Sequence, residues 1–158
     1  MAMIEIQPAT MEDAPAILAL QRLAYQTEAA IYDDYSLPPL VEELDSLRAQ
    51  FGFKRILKAV AAGRLVGSVR ALQRDDTCHI ERLFVHPDHR RQGIGAALMA
   101  AIEAAYPQAA RFELFTGHKS ANNLRLYERL GYRRFRRERA GDRVTLVFLE
   151  KPGNSRTA

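Results

Sequence analysis

Residues 3–9 read Met-Ile-Glu-Ile-Gln-Pro-Ala, with Ile4 and Ile6 alternating against Glu5 and Gln7. That two-residue period predicts a strand with one buried face, ended by Pro8. The period then changes. Over residues 11–26, Ile17, Leu20 and Ala24 recur at helical spacing, with Thr10 placed as an N-cap and Glu12 and Asp13 in the first turn. A second helix is expected over 37–51, entered through Pro39. Residues 55–73 hold two strand-like runs around Ala-Ala-Gly-Arg, and 78–87 hold a third, closed by Pro87. A helix over 95–106, a strand over 111–117 and a helix ending at Gly131 follow. Residues 132–151 read as a hairpin turning at Ala140-Gly141-Asp142. The order is strand, two helices, three strands, helix, strand, helix, hairpin, which predicts an α/β fold with a mixed central sheet and helices on its faces.

Composition narrows the class. The chain has 158 residues, 47% hydrophobic and 27% charged, an ordinary balance for one soluble globular domain. Its most apolar run, 94–106, is interrupted by Glu103 and is too short for a membrane span. The first residues lack the basic-then-apolar pattern of an export signal, and a lone Cys78 suits a reducing compartment. The cytoplasm is the expected location. The domain is expected over residues 1–152, with a frayed tail over 153–158. A net charge of +4 fits an anionic ligand as well as a nucleic acid.

Candidate chemistry concentrates at residues 86–103, where Arg90 and Arg91 precede Gly93, Gly95 and a helical run. No Gly-x-x-x-x-Gly-Lys-Ser/Thr spacing exists, and Leu98 stands where a dinucleotide fingerprint needs a third small residue. The physics of anion binding nevertheless fits. Glycines let backbone N–H groups approach a phosphate closely, and they lead into a helix N-terminus whose dipole favours negative charge.

The stretch 83–98, Leu-Phe-Val-His-Pro-Asp-His-Arg-Arg-Gln-Gly-Ile-Gly-Ala-Ala-Leu, resembles the signature of the GNAT N-acetyltransferases, matched at Arg90, Gly93 and Gly95. Leu-Tyr-Glu-Arg-Leu-Gly-Tyr, at 126–132, is similar to a second segment of the same family. The resemblance implies the GNAT acyltransferase fold and acetyl-CoA as co-substrate. It implies that Arg90, Arg91, Gln92, Gly93, Ile94, Gly95 and Ala96 hold the diphosphate of coenzyme A. The backbone of Leu83, Phe84 and Val85 would pair with the pantetheine arm, and one of those amides would stabilise the tetrahedral oxyanion. Tyr127 would protonate the departing thiolate, with Asn123 one turn away on the same helix. This chain departs from the commoner family pattern at Ser120, where Asn is usual, and at Asn123, where Ala or Ser is.

Glu81 on the strand leading to the cofactor is the expected base, with His79 the runner-up and the alternative of a solvent-facing strand carboxylate left open. Direct attack needs no acyl-enzyme, so Cys78 is expected to be a packed strand residue. His86, Asp88, His89 and His118 do not complete a metal-ligand set, and no metal is expected. The arginines of 133–139 are expected to form the solvated face of an edge hairpin, with a nucleic-acid surface as the alternative. That edge strand also leaves room for a homodimer. Tyr32, Asp33, Asp34 and Tyr35 are expected to form a polar loop, or else an acidic site for a cationic acceptor. The expected function is acetyl transfer from acetyl-CoA to a primary amine of a small molecule. A protein or peptide amine, and an acyl-CoA sensor without turnover, are the alternatives.

Overall fold

A computed structural model describes residues 3–153 of the chain; the rest of the expected tail, 154–158, lies outside them. The strands are β1 (Ile4–Pro8), β2 (Arg55–Ala61), β3 (Arg64–Arg74), β4 (Thr77–Val85), β5 (Arg111–Gly117), β6 (Arg133–Arg139) and β7 (Thr145–Pro152). They form one seven-stranded sheet in the order β1-β2-β3-β4-β5-β7-β6. Every neighbouring pair is antiparallel except β4 and β5.

Alternation along the strands gives the sheet a core on each face. Leu57, Ala59 and Ala61 of β2 pack with Leu98, Met99 and Ile102 of α5 (Ile94–Ala104). Ile56, one residue out of phase, packs instead with Ile17 and Leu20 of α1 (Ala14–Ala24). The mixed sheet with helices on both faces is therefore the expected architecture.

The segment between β1 and β2 departs from expectation. In place of two helices it holds a 3-10 turn at Met11–Asp13 and four helices: α1, α2 (Gln26–Tyr32), α3 (Pro38–Val41) and α4 (Leu44–Gln50). Thr10 N donates to Asp13 Oδ2 at 2.8 Å, so the expected start holds. The run expected to be one helix over 37–51 breaks at Glu42, whose backbone turns extended at φ −59° and ψ 134°. The cause is a buried cation. Arg70 of β3 is 0% exposed, and its guanidinium donates to Glu42 Oε2 at 3.1 Å and Oε1 at 2.9 Å. A helical Glu42 would point elsewhere, and an unpaired buried charge costs more than one helical turn returns. The first helix was expected to end at residue 26 and Tyr32 to begin a polar loop; residues 26–32 are instead helical, with Ala29 and Tyr32, three residues apart, both buried.

α6 (Ala121–Arg129) ends before Gly131, which takes φ +98° as expected. The final hairpin turns at Gly141, also at φ +98°. All seven residues of β6 are exposed, which makes its arginines a solvated sheet edge. Arg136 stacks on Phe148, 3.7 Å from the ring centroid.

Candidate active site

β4 and β5 pair over three positions only: Thr77 with Arg111, Cys78 with Phe112, and His79 with Glu113. Beyond them the two strands part, so the edge of β4 that faces β5 has no strand neighbour over residues 80–85. On its other edge β4 stays paired with β3, but the register slips. Ser68 faces Phe84 and Arg70 faces Glu81, so Arg82 and Leu83 together oppose Val69. This β-bulge sets Arg82 at φ 53°, a left-handed conformation that costs a non-glycine residue roughly 1–2 kcal/mol. Arg82 Nε lies 4.0 Å from Glu42 Oε1, and Tyr25 Oη donates to the Leu83 carbonyl at 3.4 Å. The Arg70–Glu42 network thus braces the strand at the point where it opens.

Beyond the parting, β4 bounds a cleft of about 740 Å³ together with α2, α6 and the glycine loop. Leu83, Phe84 and Val85 line one wall, and Gly93, Ile94, Gly95 and Ala96 line the next. Gly93 is the N-cap of α5 at φ +79°, and Arg91 before it is left-handed at φ 63°. The first hydrogen bond of α5 runs from Ala97 N to Gly93 O at 3.0 Å. The amides of Ile94, Gly95 and Ala96 therefore have no partner inside the helix, and they meet the cleft at its positive dipole end. A Cβ on Gly93 would meet nothing within 4 Å, so its need for glycine is conformational rather than steric.

The other expected cofactor residues divide. Arg91 lines the cleft and is exposed, whereas exposed Gln92 is not among the lining residues. Arg90 lines it too, but its guanidinium donates to the Ala24 carbonyl at 3.0 Å and to Thr27 Oγ1 at 3.0 Å. Its geometry is that of a brace tying the glycine loop to the end of α1. Asn123 lines the cleft and donates from Nδ2 to Thr116 Oγ1 at 3.3 Å.

Tyr127 lies on α6 next to the lining residue Leu126 but is not itself among the lining residues; it is 6% exposed, its ring edge-on to Tyr132 with centroids 6.1 Å apart. Its hydroxyl has no hydrogen-bond partner among the described residues. Burial pushes its pKa far up, and the charges of Tyr25 and Glu28 push the same way. That shift favours the neutral phenol, which keeps its proton more tightly than a free tyrosine does. Burial likewise raises Tyr25, to about 12.

Glu81 and His79 lie away from the lining. Glu81 is ion-paired with Lys54, and His79 Nδ1 is 3.6 Å from Glu113 Oε2, where β4 and β5 still pair. Cys78 is fully buried, and burial pushes its thiol up to about 12, far from a nucleophile's range. His86 Nδ1 accepts from the Asp88 amide at 3.0 Å, which shapes the turn before the glycine loop. Asp33 pairs with Arg143 of the final hairpin at 3.6 Å and Asp34 accepts from Ser36 Oγ at 2.6 Å, neither lining the cleft. Tyr32 is buried, and its hydroxyl bonds to Ser120 Oγ at 2.8 Å and accepts from Lys119 N at 2.9 Å. That hydroxyl lies where a Cβ on Gly117 would fall, so the end of β5 must be glycine.

The wall of the cleft supplied by the end of α1, α2 and most of the run from Lys119 into α6 was missed in the sequence, Tyr25, Lys119 and Arg125 included. Glu28 on α2 belongs to it, accepting from Ser120 Oγ at 2.6 Å and from Asn123 Nδ2 at 3.2 Å. Its signal was the pair Ala29 and Tyr32 at helical spacing, beyond the helix expected to end at residue 26.

Over residues 27–151 the chain matches the family model described as "Acetyltransferase (GNAT) domain". The chain belongs to the GNAT acetyltransferase family. This GNAT chain is 30% identical over 121 residues to the UPF0157 protein YqkA of Bacillus subtilis (strain 168). That match covers 77% of the chain and 35% of YqkA, so the chain spans about a third of that relative's length. Among solved structures it resembles the ribosomal-protein-S18-alanine N-acetyltransferase of Escherichia coli, with TM-score 0.79, 19% identity, and 95% and 94% of the two chains covered. The PaiA N-acetyltransferase of Thermoplasma acidophilum, solved in complex with coenzyme A, gives TM-score 0.73 and 20% identity over 95% and 99%. At such identities the likeness is one of fold, and the parted strands and glycine loop are the GNAT features this chain carries in its own residues. Among the described residues no helix is long and apolar enough to cross a membrane.

Proposed function

We propose that the cleft binds acetyl-CoA and that the protein transfers its acetyl group to a primary amine of a small molecule, by direct attack within a ternary complex. The observation that carries this reading is the parting of β4 from β5 beside three unpartnered helix-start amides. A strand edge with free backbone groups accepts an extended amide-bearing chain as it would another strand. Pantetheine is such a chain, and its diphosphate then meets the amides of residues 91–96.

The bulge at Arg82 shifts the register of β4 on β3 by one residue, and β5 has already parted from the far edge, so an amide of residues 83–85 can donate to the thioester oxygen as it becomes an oxyanion. Tyr127 supplies the proton to the leaving sulfur. The buried, raised thiol of Cys78 argues for direct attack rather than an acyl-enzyme. Glu81, the base expected from the sequence, has Lys54 against its carboxylate, and Glu28 is the carboxylate that lines the cleft.

Release of free thiol from acetyl-CoA tests the reading. With millimolar primary amine present the protein should release thiol well above the rate without amine, and mass spectrometry should find the acetamide. Thiol release equal with and without amine would show a hydrolase or an inert binder instead.

A further inference from the structure

The buried and half-buried carboxylates of this fold are ion-paired among the described residues, Glu28 and Asp34 excepted. Glu42 faces Arg70 and Arg82, Glu81 faces Lys54, Glu103 faces Lys151, and Glu113 and Glu150 share Arg111. Glu28 makes no ion pair among the described residues, yet it is half-buried and is the sole carboxylate among the residues lining the cleft. The cations on that lining, Arg91, Lys119, Arg125 and Arg129 among them, suit an anionic cofactor, and a single anion in their midst does not. We propose that Glu28 is the residue that receives the ammonium group of the acceptor and takes its proton, so that this chain's base stands on α2 rather than on β4.

Three observations support this. The Glu28 carboxylate is held rather than free: Ser120 Oγ fixes one oxygen and Asn123 Nδ2 the other. Ser120 is itself held by Tyr32, so the two donors come from α6 and its N-cap while the carboxylate comes from α2 across the cleft. Each oxygen keeps a lone pair for a further donor, which an ammonium with three N–H bonds can supply. Finally, Asn123, which donates to Glu28, stands one turn before Tyr127 on α6, so the carboxylate lies on the side of the cleft nearest the residue proposed to protonate the sulfur.

The step balances as follows, and it rests on the acetyl transfer proposed above. Glu28 accepts one proton from the ammonium, leaving a neutral amine. The amine lone pair forms the C–N bond as the carbonyl π pair moves to oxygen. That pair returns as the C–S bond breaks and its electrons leave with sulfur. Tyr127 gives its proton to the thiolate and regains one from the new amide nitrogen. The products are the acetamide, the coenzyme A thiol and a protonated Glu28, which loses its proton to water.

Glu28→Gln tests this, because it keeps the shape of the link to α6 and one acceptor for Asn123 Nδ2, turns the other oxygen into a donor that Ser120 Oγ can accept, and removes the charge. Two amines of similar size separate the roles. Ethylamine is an ammonium at neutral pH, whereas 2,2,2-trifluoroethylamine is held neutral by its fluorines and needs neither an anionic seat nor a base before attack. The variant should lose about 100-fold or more in kcat/KM for ethylamine. Its loss for trifluoroethylamine should be at least about 30-fold smaller, and its affinity for coenzyme A should stay within about threefold of the parent. Equal losses with both amines would make Glu28 a structural latch, and no loss with either would remove it from the reaction; both overturn the proposal. Should the parent release no thiol with either amine, the transfer reading falls, and binding decides the site alone. In the coenzyme A complex of the parent, ethylammonium should then shift the 13C carboxyl resonance of Glu28, identified by its absence in Glu28→Gln. A resonance that ethylammonium leaves unmoved, at matched ionic strength, overturns the site as well.

Discussion

Glu42→Ala should lower the unfolding free energy by about 3–5 kcal/mol, the largest loss expected of any side chain outside the apolar core. Its partner Arg70 is 0% exposed, and its guanidinium spends two hydrogen bonds on Glu42, one on Gln21 Oε1 at 2.5 Å and one on Gln50 Oε1 at 2.9 Å. Without the carboxylate a full positive charge would stay buried with only two amide oxygens beside it, and Arg70 Nε is already unpartnered among the described residues. Replacing both partners by apolar residues of like volume should cost far less, because no charge is then left behind. Urea denaturation of the single and double variants measures both effects.

The same pair sets an acid limit. Burial pushes the Glu42 carboxyl up, but hydrogen bonds from Arg70 and Gln21 and the charges of Arg70 and Arg82 outweigh it and bring it down to about 2. A carboxyl that titrates lower in the folded than in the unfolded chain contributes stability above its ordinary range. That contribution should fade as pH drops from near 5 toward 2. Glu42→Gln should flatten that part of the curve of urea midpoint against pH. An unaltered slope would show that Glu42 is not the group responsible.

Tyr127→Phe should lower kcat by roughly 10²–10⁴ while leaving acetyl-CoA affinity within a few fold. The ring packs against Tyr132, and phenylalanine keeps that packing. The hydroxyl has no hydrogen-bond partner among the described residues, so the variant should fold with a stability within about 1 kcal/mol of the parent. A rate loss in a protein of unchanged stability would assign the hydroxyl to the chemistry. An unaltered kcat would leave Tyr127 a packing residue.

Local chemistry explains what the sequence disclosed. The turn at Gly93, the N-terminus of α5 and the stop at Gly131 are each written within a few residues, because left-handed backbone and unpaired helix amides are local needs. The alternation of β2 and the exposed arginines of β6 are local in the same sense. What stayed hidden depends on distant partners. The break at Glu42 answers to Arg70, 28 residues on, and the position of Glu28 answers to Ser120, 92 residues on. The bulge at Arg82 had no sequence signal, since a non-glycine residue at φ 53° is held there by its surroundings rather than preferred. The extra residue also breaks the two-residue alternation between Glu81 and Leu83, so the face of Glu81 cannot be read from the strand beyond it.

The central claim is that coenzyme A occupies the space between β4, the glycine loop and α6. Calorimetric titration of acetyl-CoA into the protein and into Gly95→Leu tests it most directly, since Gly95 lines that space and its Cβ would already stand 3.4 Å from Leu126 Cδ2. The account predicts one-to-one binding by the parent, and binding weakened about 30-fold or more in a variant that still unfolds cooperatively. Absence of binding by the parent, or full-strength binding by Gly95→Leu, would contradict it.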